Sequence, residues 1–453
     1  MKPSCFAPFY NLNFDVAGNV TVCCYNKSFV LGNVKNNSIA KILESPILRE
    51  IQQSLAKADF SKGCFFCEQN ILAGNGENAL LKEYDQYYQS ELELLGEFSP
   101  KSIELEISNN CNLACVMCYG KYSSTIRKKR EGLPPVNNTY PANFAEQLLP
   151  YLEKVEVIKF LGGEPFLNPY YFEIWEEVSK INPSIKLVVT TNGTVFNKKI
   201  EDLISRLNFE IIISTDSISK ENFEKIRVGG NFENFYSNLI RFKDLQQKKG
   251  KYIGLTLCPL MVNYSEIPEI IEFCQNENLS IYFNTVVNPI FHSTLYKEEN
   301  IQFEIIQSWK SKSKLLFGEN GHEKLNGLIA LQESQIEKSR RRARYLKYLE
   351  ENKIHPFIIN QLKGAFYYDD KCGETNEKID LPAFERFLES SSVFFEIGIK
   401  SENKIVLSEY ISSYPNPQFL MKEILTFDIE NMIPFFATGT SKSLKTQMQY
   451  QFP

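Results

Sequence analysis

The sequence predicts an α/β protein with a partial (β/α)6 TIM barrel, a small cysteine-rich N-terminal domain and an α+β C-terminal extension. The chain has 453 residues, and at about 150 residues per domain this suggests two or three domains. Six strand-like runs alternate with helical runs between residues 101 and 287, and eight of the 11 cysteines lie within the first 118 residues. We therefore expect domains at residues 1–95, 100–290 and 291–453.

Composition and charge exclude several classes of protein. Hydrophobic residues make up 43% of the chain and charged residues 23%, with a net charge of −5, as in an ordinary globular protein without a basic surface for nucleic acid. The N-terminus lacks the pattern of a secretory signal, and we find no apolar run of about 18 residues that would cross a membrane. We expect a cytoplasmic protein, in which clustered cysteines are metal ligands or catalytic groups.

The first 95 residues combine short apolar runs and turn signals, such as "DVAG" and "GNGEN", with two helical stretches. The stretches are "SIAKILESPILREIQQSLAK" and "ALLKEYDQYYQSELELLGEF", at residues 38–57 and 79–98. We expect a small module held together by its cysteines.

The barrel is predicted from regular alternation. Strand-like runs at 101–108, 156–163, 186–193, 209–217, 252–260 and 280–287 are separated by helical runs at 140–155, 170–182, 198–207, 232–248 and 267–279. Polar or glycine-rich segments directly follow the strands, and the carboxyl ends of parallel strands share one edge of a sheet. One site should therefore combine Cys111, Gly162–Glu164, Thr190–Gly193, Ser214–Ser217 and Val286–Pro289.

The C-terminal extension contains no motif that identifies a function. "SRRRARYLKYLEEN" predicts a basic helix, and "FFEIGI" and "KIVLSEYI" could pair as strands. The basic run 338–347 is expected to be a solvated helix face, although it could attract an acidic substrate or leader segment. Of the isolated thiols, Cys258 and Cys274 are expected to fill the core, whereas Cys372 is ambiguous.

The stretch "CNLACVMCYG" places Cys111, Cys115 and Cys118 at a four-then-three spacing. Three thiolates can bind three irons of a cubane cluster and leave the fourth iron open to another ligand. A zinc knuckle without its fourth ligand and buried structural thiols are the alternatives, because the histidines are remote in sequence.

A second set of cysteines lies at the N-terminus, where Cys5, Cys23, Cys64 and Cys67 could complete a four-thiolate site. Spacing alone does not distinguish an iron-sulfur cluster from zinc. Cys24 adjoins Cys23, and the sequence does not decide which of the two binds the metal.

The three-cysteine stretch resembles the CxxxCxxC signature of the radical S-adenosylmethionine (SAM) enzymes. Met117 is a departure, since the family often has an aromatic residue before the third cysteine. The resemblance implies a 4Fe-4S cluster that binds SAM and cleaves it reductively to methionine and a 5'-deoxyadenosyl radical, which abstracts a hydrogen atom from the substrate.

The same resemblance implies a set of SAM-binding residues. In "FLGGEPFLNP", Gly162, Gly163 and Glu164 would contact the methionyl ammonium and Pro165 would shape the turn. Arg227 would pair the SAM carboxylate through two hydrogen bonds. The remaining candidates would line the ribose and carboxylate region: Thr191, Asn192, Ser214 and Asp216. The alternative for the glycine-rich segment is a simple turn, for Asn192 and Ser214 a turn or strand-end role, and for Arg227 a solvated position at a helix end. No catalytic residue is identified.

The N-terminal segment resembles the SPASM and twitch auxiliary-cluster domains of radical SAM enzymes. Cys5, Gly18, Cys23, "LGN" at 31–33 and the Cys64–Cys67 pair match, although such domains more often follow the barrel. The resemblance implies a second, fully ligated 4Fe-4S cluster, which favours an electron-transfer role, and a flavodoxin or ferredoxin as electron donor.

The family's habits suggest a radical SAM enzyme of oxidoreductase or lyase type that modifies a ribosomally synthesised peptide by crosslinking, epimerisation or backbone cleavage. Oxidation or rearrangement of a sugar or another small molecule is the first alternative. A non-enzymatic metal-binding scaffold is the second.

Overall fold

The structure is a computed structural model that describes residues 3–64, 67–68, 71, 79–88, 98–137, 139–286, 292–359, 362, 379–397 and 399–425. Nine strands form one sheet in the order β3-β2-β1-β4-β5-β6-β7-β8-β9. The strands are β1 Asn11–Phe14, β2 Asn19–Thr21, β3 Gly32–Asn33, β4 Ser102–Leu105, β5 Val157–Phe160, β6 Lys186–Thr191, β7 Phe209–Ser214, β8 Ile253–Leu257 and β9 Ser280–Phe283.

Strands β4 to β9 are parallel and pair in sequence order. Every second residue packs against the covering helices, as Ile158 and Phe160 do in β5. The helices between these strands are Ser124–Lys129, Phe144–Leu152, Pro169–Ile181, Lys198–Arg206, Lys220–Ile226, Phe232–Lys248 and Ile267–Asn276. Because β3 and β9 are the two edges of the sheet as described, the barrel is open, and the predicted partial α/β barrel is confirmed.

The N-terminal strands extend the barrel sheet. Strand β1 runs parallel to β4, with Asn11 opposite Ser102 and Phe14 opposite Leu105, and β1 and β2 form an antiparallel hairpin. The turn from Asp15 closes at Gly18, which has a φ of +81° and donates its N–H to the Asp15 carbonyl at 2.9 Å.

The first predicted helical stretch forms two helices, Ile39–Leu43 and Pro46–Ala56. Proline favours the first turn of a helix, where its missing N–H is not needed, and Pro46 begins the second of these helices. In the second stretch Leu80–Tyr87 forms a 3-10 helix, and residues 89–97 lie outside the described ranges.

The described part of the C-terminal extension is helical. Its α-helices are Glu299–Lys312, Gly318–Ser334, Ile336–Glu351, Leu381–Phe394, Ser401–Ser413 and Pro417–Leu425. The first two pack into the main core through residues such as Trp309 and Leu325, whereas a separate apolar cluster that includes Tyr345, Phe384 and Leu407 joins the later helices. The basic helix predicted at 339–352 is confirmed.

The two strands predicted in the extension are wrong. "KIVLSEYI" lies inside the helix Ser401–Ser413, where Asn403, Leu407 and Ile411 recur every four residues and face the core. "FFEIGI" begins in the last turn of Leu381–Phe394, and the helix ends before Glu396, which has a φ of +56°. Among the described residues, no helix combines the length and apolar character needed to cross a membrane.

Candidate functional site

The three-cysteine loop lies at the carboxyl end of β4, and hydrogen bonds to its backbone fix it on both sides. On one side, Thr125 at the start of a short helix donates its hydroxyl to the Cys111 carbonyl at 2.7 Å. On the other, Ala114 N–H bonds the Val228 carbonyl at 2.8 Å and Val116 N–H bonds the Ile226 carbonyl at 2.9 Å. The loop is thereby tied to the segment that carries Arg227.

The three thiols are held in surroundings that disfavour their charge. Burial raises the pKa of Cys115 to about 11 and that of Cys118 to about 12, and it raises the pKa of Cys111 as well. Two of the sulfurs have a hydrogen-bond donor at 3.9 Å. Asn192 Nδ2 lies at this distance from Cys111 Sγ, and Arg227 Nη1 lies at this distance from Cys115 Sγ. Buried thiolates require cationic partners, and the irons of a cluster would supply them.

Gly162 and Gly163 are required for close packing of two strand-end loops. A Cβ on Gly163 would lie 2.4 Å from the Asn110 carbonyl oxygen, and one on Gly162 would lie 2.6 Å from the Ser108 carbonyl oxygen. The loops are joined by Gly163 N–H to Ser108 O at 2.9 Å and Glu164 N–H to Asn110 O at 2.8 Å. These glycines therefore position the segment that leads into Cys111, and their contact with an ammonium group stays a prediction.

The Glu164 carboxylate links the ends of β5 and β6. It is 1% exposed and accepts three hydrogen bonds: from Thr191 Oγ1 at 2.7 Å, Asn192 N–H at 2.7 Å and Phe166 N–H at 3.1 Å. Burial raises its pKa, and these bonds oppose that effect. One acceptor position on Oε2 remains after these bonds, so the predicted ammonium contact would add to them. Pro165 begins the 3-10 helix that follows.

Arg227 and Asp216 form a buried ion pair at the ends of neighbouring elements. Arg227 Nη2 lies 2.5 Å from Asp216 Oδ2, and the two side chains are 7% and 0% exposed. Asp216 also accepts the Cys258 N–H at 2.7 Å and has a φ of +59°. In this arrangement Arg227 is engaged by Asp216 and Cys115, so a bidentate contact with a SAM carboxylate stays a prediction.

The remaining predicted SAM-site residues lie along the same edge of the sheet. Thr191 ends β6, Ser214 ends β7, and Asn192 donates to Asn112 Oδ1 at 3.0 Å, beside Cys111. The structure therefore brings the candidates of four successive strand ends to one face. Residues 287–289 of the last predicted segment lie outside the described ranges.

The four N-terminal cysteines surround one cavity. Its lining includes Cys5, Cys23, Cys64 and Cys67. Cys5 precedes β1, Cys23 follows β2, and Cys64 and Cys67 follow the helix Pro46–Ala56. Asn26 approaches Cys64 Sγ with Nδ2 at 3.6 Å. Four thiols around a mostly apolar space fit the ligand set of a complete cluster.

The geometry favours Cys23 over Cys24 as the fourth ligand. Cys23 lines the cavity with the other three thiols, whereas Cys24 does not belong to its lining. Burial raises the pKa of Cys24, with Glu104 as the next contributor, and Lys27 opposes it. We therefore place Cys24 on the inner face of the sheet and Cys23 in the site.

Sequence reasoning missed several side chains near these sites. Cys258, expected in the core, is half-buried just past β8, where burial and Asp216 raise its pKa and Arg227 opposes them. Its position after a strand could have revealed it. Cys274, by contrast, is buried in the main core, as predicted, and Cys372 lies outside the described residues.

A charged group on the inner face of the sheet was also missed. Lys27 Nζ lies 3.7 Å from Glu106 Oε2, and Lys121, three residues after Cys118, is 3% exposed. Burial lowers the pKa of Lys121 to about 7, and the neighbouring Lys27 contributes further. No local pattern predicts this group, because its members come from three separate loops.

Within the ranges described, no three His, Cys, Asp or Glu side chains converge on a point suited to one metal ion. The cysteines of a cubane cluster stand further apart, since each binds a different iron.

Two family models match the chain. Residues 105–274 match the radical SAM superfamily, and residues 5–68 match an iron-sulfur cluster-binding domain, SPASM. The fold and the two cysteine sites define a protein with a partial α/β barrel and an N-terminal iron-sulfur module. Residues 105–274 therefore form a radical SAM domain, the class of domain that binds SAM and a 4Fe-4S cluster, and residues 5–68 form a SPASM domain, the class that binds an auxiliary iron-sulfur cluster.

Curated relatives include the radical SAM cyclopropyl synthase TigE of Paramaledivibacter caminithermalis, 26% identical over 59% of this chain and 59% of the relative. The GTP 3',8-cyclase of Clostridium botulinum is 23% identical over 46% of this chain and 62% of the relative. The chain thus matches about 60% of the length of these two relatives.

Similar solved structures include anSMEcpe with bound AdoMet, with a TM-score of 0.36 and 18% identity over 46% of this chain and 57% of that one. Another is Streptococcus suis SuiB bound to the precursor peptide SuiA, with a TM-score of 0.35 and 16% identity over 50% of this chain and 53% of that one. The assignment of the two domains rests on the two sequence matches.

Proposed function

We propose that this protein is a radical SAM enzyme that uses two iron-sulfur clusters to modify a peptide. The observation that carries the proposal is the presence of two separate cysteine sites on one sheet, a three-thiol loop after β4 and a four-thiol cavity beside β1 and β2. Three protein ligands leave one iron of the first cluster for SAM, whereas four complete the second. When bound, the first cluster and SAM would supply a carbon-centred radical.

The residues of this chain would bind and orient SAM. Gly162 and Gly163 hold the loop of Cys111 against the end of β5, and Glu164 offers its remaining acceptor position to the SAM ammonium. Thr191, Asn192, Ser214 and Asp216 would line the ribose and carboxylate region, and Arg227 would pair the SAM carboxylate.

A peptide substrate is supported by the C-terminal extension, whose described residues within 292–425 are largely helical. The extension borders concave surfaces large enough for side chains, including a cavity of about 390 Å³ between β9 and the helix Gly318–Ser334. A flavodoxin or ferredoxin would provide electrons. A small-molecule substrate is the second candidate, because relatives in the matched region include GTP 3',8-cyclases.

Anaerobic reconstitution tests the proposal. We expect about eight irons per chain and reductive SAM cleavage that is abolished in Cys115→Ala. The matched control Cys24→Ala should keep both iron and cleavage, since Cys24 lies outside the four-thiol cavity. A zinc-loaded protein without iron would support the scaffold alternative and contradict the proposal.

Mass spectrometry separates the two substrate classes. Peptides encoded beside the gene should change mass on incubation with SAM and reductant, whereas turnover of GTP alone would favour the small-molecule candidate.

A further inference from the structure

The helical extension contains a second cavity, of about 610 Å³, between residues 296–303 and the basic helix Ile336–Glu351. This volume is typical of a small-ligand pocket. Its lining includes Tyr296, Lys297 and Arg342, none of which belongs to either cysteine site.

Arg342 lines this cavity, and two of its guanidinium nitrogens have no hydrogen-bond partner among the described residues. Its side chain is 2% exposed, Nη1 donates to the Leu295 carbonyl at 3.3 Å, and the guanidinium lies 4.8 Å from the centre of the Tyr296 ring. Nε and Nη2 are buried and have no hydrogen-bond partner among the described residues. A buried guanidinium in this condition is costly unless an anion pairs with it.

The two unpartnered nitrogens share one edge of the guanidinium plane. This edge presents two parallel N–H groups that match the two oxygens of a carboxylate. The guanidinium also lies over the Tyr296 ring, a cation–π contact that holds it beside residues 296–303.

The neighbouring carboxylates do not neutralise Arg342. Glu299 gives both oxygens to Arg340, at 2.6 Å from Nη2 and 3.0 Å from Nε. In the described part of the chain no ion pair joins Glu298 to Arg342, and a second buried cation, Lys297, is 1% exposed in the same lining. The interior of the cavity is therefore cationic and its rim carries acidic residues.

We propose that this cavity binds the carboxylate of an acidic residue in a peptide substrate, held by the Nε and Nη2 edge of Arg342. Two rim carboxylates would repel a doubly charged phosphate more than a singly charged carboxylate. The identity of the ligand rests on the peptide substrate proposed above. The site itself is tested by binding, without SAM cleavage, so the two proposals can fail separately.

The test measures binding to the full-length reconstituted protein by isothermal titration calorimetry. The probes are acetyl-glutamate N-methylamide, its glutamine counterpart and inorganic phosphate. We expect the glutamate probe to bind, the glutamine probe to bind at least about 10-fold more weakly, and Arg342→Met to weaken glutamate binding at least about 10-fold, or about 1.4 kcal/mol. The control Arg344→Gln removes one exposed positive charge from the same helix and should bind as the wild type does.

Thermal unfolding without ligand checks that Arg342→Met folds. The unfolding midpoint of this variant should equal or exceed that of the wild type, because the substitution removes a buried charge without a counterion. If that variant does not fold, Arg342→Lys keeps the charge but loses the two-N–H edge and should weaken binding similarly. Unchanged glutamate affinity in either variant, no binding of the glutamate probe, or tighter binding of phosphate would overturn the proposal.

Discussion

Gly163→Ala is expected to displace the three-cysteine loop. Its new Cβ would lie 2.4 Å from the Asn110 oxygen, 2.7 Å from the Asn110 carbonyl carbon and 2.8 Å from the Asn109 carbonyl carbon. All three are backbone atoms, which cannot rotate away as a flexible side chain can. An ordinary contact is about 3.5 Å, so the two loops must separate by about 1 Å.

The cost of that separation follows from the contacts between the loops. Overpacking of this kind costs about 1–3 kcal/mol, and each of the two backbone hydrogen bonds from Gly163 and Glu164 contributes about 1 kcal/mol. A combined loss of roughly 3–5 kcal/mol beside Cys111 should reduce bound iron from about eight to about four per chain and abolish SAM binding.

The assay combines iron determination after anaerobic reconstitution, SAM titration and thermal unfolding. Gly327→Ala is the matched control, because its added Cβ meets nothing within 4 Å inside the helix Gly318–Ser334 and alanine favours a helix by about 1 kcal/mol. The reasoning is refuted if Gly163→Ala retains full iron, SAM affinity and the wild-type thermal midpoint.

Three further substitutions test other parts of the structure. Cys64→Ala should remove about half the iron while some uncoupled SAM cleavage remains, and equal iron loss in Cys24→Ala would contradict the ligand assignment. Asp216→Asn should lower stability by about 3–5 kcal/mol in chemical denaturation, because Arg227 stays buried without its counterion; an unchanged midpoint would refute this. Between its lowered pKa of about 7 and its ordinary pKa of 10.5, Lys121 binds fewer protons in the folded state than in the unfolded state. The free energy of unfolding should therefore rise with pH in that window, by up to about 1.4 kcal/mol per pH unit. Lys121→Met should lose this pH dependence, which is measured from the free energy of unfolding of the cluster-loaded protein at several pH values. Identical slopes in the variant and the wild type would contradict the lowered pKa of Lys121.

The barrel could be predicted because the residues that determine each of its helices and strands lie within or beside that element in the sequence. The helix Phe232–Lys248 has the predicted bounds, with Asn231 capping its first turn through the Asn234 N–H. The strands predicted in the extension failed for a related reason. A short run such as "KIVLSEYI" is compatible with both the two-residue period of a strand and the 3.6-residue period of a helix. Only the burial of Leu407 and Ile411, together with Asn403 just before the run, decides for a helix.

The continuity of the sheet could not be read from the sequence. Strand β1 finds its partner β4 about 90 residues further along the chain, and nothing in "NLNF" specifies that pairing. The same limitation applies to the site. The cysteines and glycines were visible as motifs, but the contact of Gly163 with the Asn110 backbone depends on the spatial adjacency of two loops. The sequence could therefore suggest ligands, while the supporting contacts required the fold.

The register of β1 on β4 places the two cysteine sites at opposite ends of the same strand. Asn11 lies opposite Ser102, at the amino end of β4, and donates to the Val22 carbonyl at 2.9 Å, which fixes Cys23 near that end. Cys111 follows the carboxyl end by six residues. The four residues of β4 alone span about 13 Å, so a substrate atom beside the SAM site would not also contact the auxiliary site. This separation, together with four thiols that complete the auxiliary ligand set, supports an electron-transfer role for the second cluster in the proposed function rather than substrate coordination.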